Sequence, residues 1–153
     1  KFIEQINNNK KITITDPTMT RFSITMNQAL DFILKATKNG HGAEIFIPKV
    51  KTYSLQQIID ILSNLTNTKE HTIIGMRPGE KQHESLINSD EMRSAWSYEN
   101  MFMLLNELHD DKNLEKTYPG IKKVKDLDVY SSDKAESLTM DEITENIKDL
   151  QLL

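Results

Sequence analysis

The stretch ITITDPTMTRFSITMNQALDFILKATKNG, residues 12–40, governs how the chain is read. Ile12 and Ile14 alternate with Thr13 and Thr15, the period-two pattern of a half-buried strand, and Asp16-Pro17 ends it in a turn. Phe22 to Thr25 reads as a second short extended piece. At Thr25 the period changes. Thr25-Met26-Asn27-Gln28 spells a capping box, in which hydroxyl and amide side chains satisfy backbone N–H groups that a helix start leaves free. Ala29, Leu30, Ile33 and Leu34 then recur at helical spacing and predict a buried stripe, and Asn39-Gly40 supplies the stop. Strand followed by capped helix is the repeating unit of an α/β protein.

Working outward, the unit recurs. Ala43 to Pro48 is β-rich, and Ile45-Phe46-Ile47 suits a buried strand. Ser54-Leu55-Gln56-Gln57 is a second capping box, with Leu55, Ile58, Ile59, Leu62 and Leu65 as the helical stripe behind it. Thr72, Ile73 and Ile74 predict a further strand ending at Gly75. Ser89, with Asp90 and Glu91 in the first turn, predicts a short helix through Ala95. Residues 99–105 fit strand or helix equally. Thr139-Met140-Asp141-Glu142 is a third capping box, opening a final helix lined by Met140, Ile143, Ile147 and Leu150.

At the other end Phe2, Ile3 and Ile6 share one helical face with no cap before them, which predicts the tail of a helix begun upstream of Lys1. An ordinary frayed first turn is the alternative. Between residues 106 and 138 the sequence is charged and poorly periodic, too long for a common loop. It is expected to be functional, partly disordered, or packed on something outside it. The expected organisation is a ligand-binding region over 1–105, a charged connecting segment over 106–138, and a C-terminal helix over 139–153.

Composition narrows the function. With 19 basic and 23 acidic residues among 153, the net charge of −4 lacks the basic footprint of a nucleic-acid binder. The absence of cysteine removes disulfides, thiol nucleophiles and cysteine zinc sites, and fits a reducing, cytoplasmic setting. No apolar run approaches the roughly 20 residues of a membrane span. Five glycines, at 40, 42, 75, 79 and 120, cannot spell either nucleotide-loop fingerprint. His83-Glu84 lacks the second histidine of a zinc helix, so no metal ligand is assigned.

Two of the three arginines, Arg21, Arg77 and Arg93, fall on rigid turns. Gly75-Met76-Arg77-Pro78-Gly79-Glu80-Lys81 follows a predicted strand, and there Arg77 offers a planar fork of donors suited to phosphate or carboxylate. Glu80 is placed to accept paired hydroxyl hydrogen bonds. Arg21 follows the Asp16-Pro17 turn. The bland reading of both is a solvated surface pair, with Asp16 or Asp31 as the partner of Arg21.

The runs ITITDPTMTRFSIT (12–25), AEIFIPKV (43–50) and GMRPGEKQHESLINSDE (75–91), in that order, resemble the C-terminal part of UDP-N-acetylglucosamine 4,6-dehydratases of polysaccharide biosynthesis. These belong to the extended short-chain dehydrogenase/reductase superfamily. Glu91 to Trp96 and Val129 to Asp133 resemble the capsule-type branch that also epimerises carbon 5; 106–125 resembles it least. The resemblance implies that Arg21 and Arg77 contact the UDP diphosphate and Glu80 the ribose. It implies a UDP-sugar partner and homo-oligomerisation, in surface-polysaccharide synthesis such as capsule or O-antigen. It also implies NAD or NADP, held by an N-terminal Rossmann domain that this chain does not contain.

The family reaction also needs a Tyr-x-x-x-Lys pair whose lysine lowers the tyrosine pKa. Tyr118…Lys122 and Tyr130…Lys134 have that spacing. The first encloses the helix-breaking Pro119-Gly120, the second lies in a turn-like composition, and both follow the substrate motifs where the family pair precedes them. No catalytic residue is therefore assigned, and the chain reads as a substrate-binding portion without its catalytic half. The rival readings are a truncated, non-catalytic paralogue that oligomerises or docks partners through an uncovered apolar face, and a regulatory nucleotide sensor.

Overall fold

All three capping boxes form. Thr25 Oγ1 accepts the Gln28 amide N–H at 3.3 Å while Gln28 Oε1 accepts that of Thr25 at 2.9 Å, opening helix α2 (Met26–Asn39). Ser54 with Gln57 and Thr139 with Glu142 make the same reciprocal bonds at the starts of α3 (Leu55–Thr66) and α6 (Met140–Asp149). The computed structural model describes residues 2–66, 70–105 and 113–149. Leu150, assigned from the sequence to the final helical stripe, lies outside the described residues, as does 106–112 of the charged segment.

Ile12 and Ile14 form β1 (Ile12–Ile14), which runs parallel to β5 (His71–Ile73). The inward isoleucines pack with Ile59 and Leu62 of α3 and with Phe2, Ile3 and Ile6 of α1 (Phe2–Asn7). β2 (Thr20–Phe22) pairs antiparallel with β4 (Thr52–Ser54), so this strand begins before the Phe22 start read from the sequence. A four-stranded antiparallel sheet, ordered β3 (Ile45–Pro48), β8 (Met101–Leu104), β7 (Ala95–Tyr98), β9 (Lys122–Lys123), forms the centre. β8 is covered on both faces: Phe102 packs with Ile47, Ile87, Met92 and Tyr130, while Met101 and Met103 pack with Tyr98, Leu114, Tyr118 and Ile121. Burial on both faces is why its run Met-Phe-Met-Leu shows no alternation.

Five local readings are corrected. Asn88, not Ser89, caps α4 (Ser89–Met92), through a box with Glu91. Ala95 begins β7 instead of ending that helix, because its fully buried methyl belongs to the sheet. Leu65 and Ile45 are exposed. The largest change concerns α2. Leu30, Ile33 and Leu34, expected to be buried, face outward, and Phe32 packs against the Met101–Tyr118 cluster. The helix carries two apolar sides, and spacing does not say which one meets the core.

The described part of the charged segment, 113–138, holds α5 (Leu114–Thr117), β9 and β10 (Tyr130–Ser131), which pairs with β6 (Ser85–Ile87). Leu114, Tyr118, Ile121 and Tyr130 are buried there.

Candidate functional site

The link between β5 and β6 contains the Arg77 turn. Glu80 donates its N–H to the Arg77 carbonyl at 3.0 Å, and Arg77 N–H returns to Glu80 Oε2 at 2.9 Å. Pro78 fixes one central dihedral of this four-residue turn, and Gly79, at φ +83°, supplies the other, the signature of a type II turn. The Arg77 side chain is exposed and makes no hydrogen bond or ion pair with the described residues. One Glu80 oxygen closes the turn, leaving the other able to accept from a ligand.

Arg21, on β2 opposite Tyr53, straps the following segment. Its Nη1 donates to the carbonyls of Thr20 at 2.7 Å and Gln82 at 3.1 Å, and its Nη2 to that of Lys81 at 3.0 Å. Its Nε lies 3.7 Å from the Glu84 carboxylate. The bland expectation of a pair with Asp16 or Asp31 is not met; Asp16 instead accepts from the Thr18 amide and hydroxyl, which holds its carboxyl below the ordinary range. Arg21 is thus joined to residues just beyond the Arg77 turn, through backbone carbonyls. Arg93, the third arginine, pairs on the surface with Asp90 at 2.5 Å.

A second tie was not read from the sequence. Thr20 Oγ1 shares hydrogen bonds with His83 Nδ1 at 2.8 Å and Ser132 Oγ at 2.7 Å. Ser132, buried, also accepts the Glu84 N–H at 2.9 Å. Separations of 63 and 112 residues left no local signal for this junction.

Both tyrosines of the Tyr-x-x-x-Lys spacings are engaged by internal partners. The fully buried Tyr118 donates to the Glu44 carboxylate. Burial and that neighbouring charge push its hydroxyl pKa well above the ordinary value. Tyr130 donates to the Val50 carbonyl at 3.0 Å and accepts the Val50 N–H at 2.8 Å; its pKa is also raised, chiefly by burial. A catalytic tyrosine needs the opposite shift. The Gly75–Gly79 turn leads into strand β6 and not into a helix N-terminus of the kind that receives a pyrophosphate.

A cavity of about 400 Å³ lies between α2, α6 and the β3–β4 connection, lined by Phe32, Lys49, Lys51, Asn100 and Glu142 among others. Neither Arg77 nor Glu80 lines it. Lys51 is engaged there by Glu142 at 2.7 Å and Glu136 at 3.0 Å. Lys49 reaches Ser97 Oγ at 2.6 Å above the Phe102 ring, and burial lowers its pKa.

Residues 1–106 match the family model described as polysaccharide biosynthesis protein, and the chain belongs to that family. It is 33% identical over 150 residues to a Rickettsia bellii protein named UDP-glucose 4-epimerase, covering 97% of this chain and 44% of that one. A Campylobacter jejuni protein named UDP-N-acetylglucosamine 4,6-dehydratase (inverting) is 37% identical over 129 residues, 81% of this chain and 38% of its own. The X-ray structure of Pen from Bacillus thuringiensis superposes with a TM-score of 0.80 at 32% identity, over 99% of this chain and 45% of that one. The chain therefore spans less than half the length of these relatives. Its α/β fold fits the C-terminal region of an extended short-chain dehydrogenase/reductase. Among the described residues no helix is long and apolar enough to cross a membrane.

Proposed function

We propose that this chain is the UDP-sugar-binding region of a UDP-N-acetylglucosamine 4,6-dehydratase, of the 5-epimerising type, acting in surface-polysaccharide biosynthesis. The observation that carries the reading is the Arg77 turn: a guanidinium without a partner among the described residues, near a carboxylate with one oxygen to spare. Arg77 takes the diphosphate, Glu80 the ribose hydroxyls, and Arg21, which anchors the adjoining segment, adds positive charge at the same edge. NAD or NADP and the catalytic pair come from a Rossmann domain in the longer protein. Calorimetry tests the site. Weak UDP binding is expected, lost on Arg77→Ala; no heat from folded protein at millimolar UDP would overturn it.

The relatives named UDP-glucose 4-epimerase match over a larger share of the chain and support a second reading, a 4-epimerase region. Tighter binding of UDP-glucose than of UDP-N-acetylglucosamine would favour it.

A further inference from the structure

We infer that Thr20, His83 and Ser132 form a proton-ordered clasp that positions the diphosphate site, with His83 held as the Nδ1–H tautomer and acting as its terminal donor. This rests on reading the Arg77 turn as that site, and it makes the three residues positioning groups, not ligand contacts.

Three short contacts meet at two hydroxyls. Ser132 Oγ lies 3.1 Å from the Thr20 carbonyl oxygen and 2.7 Å from Thr20 Oγ1, and Thr20 Oγ1 lies 2.8 Å from His83 Nδ1. Each contact needs one hydrogen, and the two hydroxyls hold one apiece. The Glu84 N–H serves a fourth bond, to Ser132 Oγ. Ser132 is 1% exposed, so bulk water does not make up the deficit. The third hydrogen therefore comes from the imidazole. Only one order satisfies every contact: His83 Nδ1–H donates to Thr20 Oγ1, Thr20 to Ser132 Oγ, and Ser132 to the Thr20 carbonyl. The reverse, with Thr20 donating to a bare Nδ1, leaves one Ser132 contact without a hydrogen.

The clasp closes a segment that is held at each residue. Arg21 takes the carbonyls of Lys81 and Gln82, and the Thr20 N–H also donates to that of Gln82 at 3.1 Å. His83 meets Thr20 through its ring. Glu84 gives its N–H to Ser132 Oγ and accepts the Ser132 N–H on its carbonyl at 2.8 Å. The Arg77–Glu80 turn leads directly into this segment. Thr20, the neighbour of Arg21 on β2, thus fixes the spacing between the two arginines, and a diphosphate shared by two guanidinium groups requires a fixed spacing. Arg21, Arg77 and Glu80 lie within the residues 1–106 that match the family model, whereas Ser132 lies beyond them. The segment read from the sequence as a connection therefore supplies the buried hydroxyl at the centre of the clasp.

Ring-nitrogen NMR of the 153-residue chain tests the proton order without any substitution. Neutral His83 is expected to carry its hydrogen on Nδ1; an Nε2–H tautomer would overturn the inference. Amide exchange tests the positioning. Thr20→Val removes the shared hydroxyl and Thr20→Ser keeps it. The valine variant should exchange roughly tenfold faster over residues 80–84 and bind UDP weaker by a similar factor, as for one lost hydrogen bond. Exchange at Ile59 and Leu62 in the α3 core should not change, and the serine variant should restore wild-type behaviour. Acceleration spread evenly through the chain would reduce the clasp to general stability and sink the positioning role, as would wild-type exchange in the valine variant. Should Thr20→Val fail to fold, His83→Leu, at a half-buried position, is read by the same criteria. A folded wild-type chain giving no heat with UDP overturns the ligand reading, while tautomer and exchange still decide the clasp, so either can fail alone.

Discussion

Arg21 donates from Nη2 to the carbonyl of Lys81, sixty residues along the chain, at 3.0 Å. With its Nη1 on Gln82, one side chain fixes the segment beside the Arg77 turn from a neighbouring strand. Arg21→Lys keeps the charge but removes the fork that spans two carbonyls. Faster amide exchange over residues 77–82 is expected, with UDP binding weakened roughly tenfold, as for a lost charge-assisted hydrogen bond. Unchanged exchange would make the strap dispensable.

Glu80 has two tasks that substitution separates. Glu80→Gln retains an acceptor for the Arg77 N–H and should keep the turn, whereas Glu80→Ala removes both the closure and the proposed ribose contact. In titrations against UDP and 2′,3′-dideoxy-UDP, wild type should prefer UDP and Glu80→Ala should bind the two alike. A preserved preference in the alanine variant would place ribose recognition elsewhere.

The half-buried Tyr118–Glu44 pair makes stability pH-dependent at both extremes. Burial opposes the Glu44 carboxylate, but hydrogen bonds from Tyr118 and from the Gly42 and His41 amides outweigh it, so its folded pKa lies below the ordinary 4.5. Its contribution is present above that pH and lost as pH falls through the folded value. Tyr118 shifts the other way. Its contribution is intact below the ordinary tyrosine pKa of 10.0 and declines above it, as the unfolded chain ionises first. Urea unfolding of Tyr118→Phe should show an overall loss of about 1.5–3 kcal/mol near neutrality and a flatter alkaline limb.

Tyr130 bridges both backbone groups of Val50 and packs against Phe22, tilted, and Phe102, edge-on, at ring centroid distances of 5.1 and 4.9 Å. Tyr130→Phe keeps the ring and strands one N–H and one carbonyl. A loss of about 1–3 kcal/mol in denaturant unfolding is expected, without change in UDP binding.

Local chemistry was legible from the residues alone. The capping boxes of Thr25, Ser54 and Thr139, the Ile12/Ile14 alternation and the Pro78-Gly79 turn are settled within a few positions, where hydrogen bonds and fixed dihedrals operate. The α/β class followed from those pieces, and the motif runs carried the family. The packed structure alone decided which side of α2 faces inward, since Phe32 and the Leu30–Ile33–Leu34 strip satisfy the same helical period. It also decided that Ala95 joins a sheet, because burial against Phe102 and Ile87 outweighs a helical start nearby. The partners of Arg21 and the meeting of Thr20, His83 and Ser132 had no sequence signal either. Such contacts join a strand to connecting segments distant in the chain, and only the packing of the whole brings them within hydrogen-bond reach.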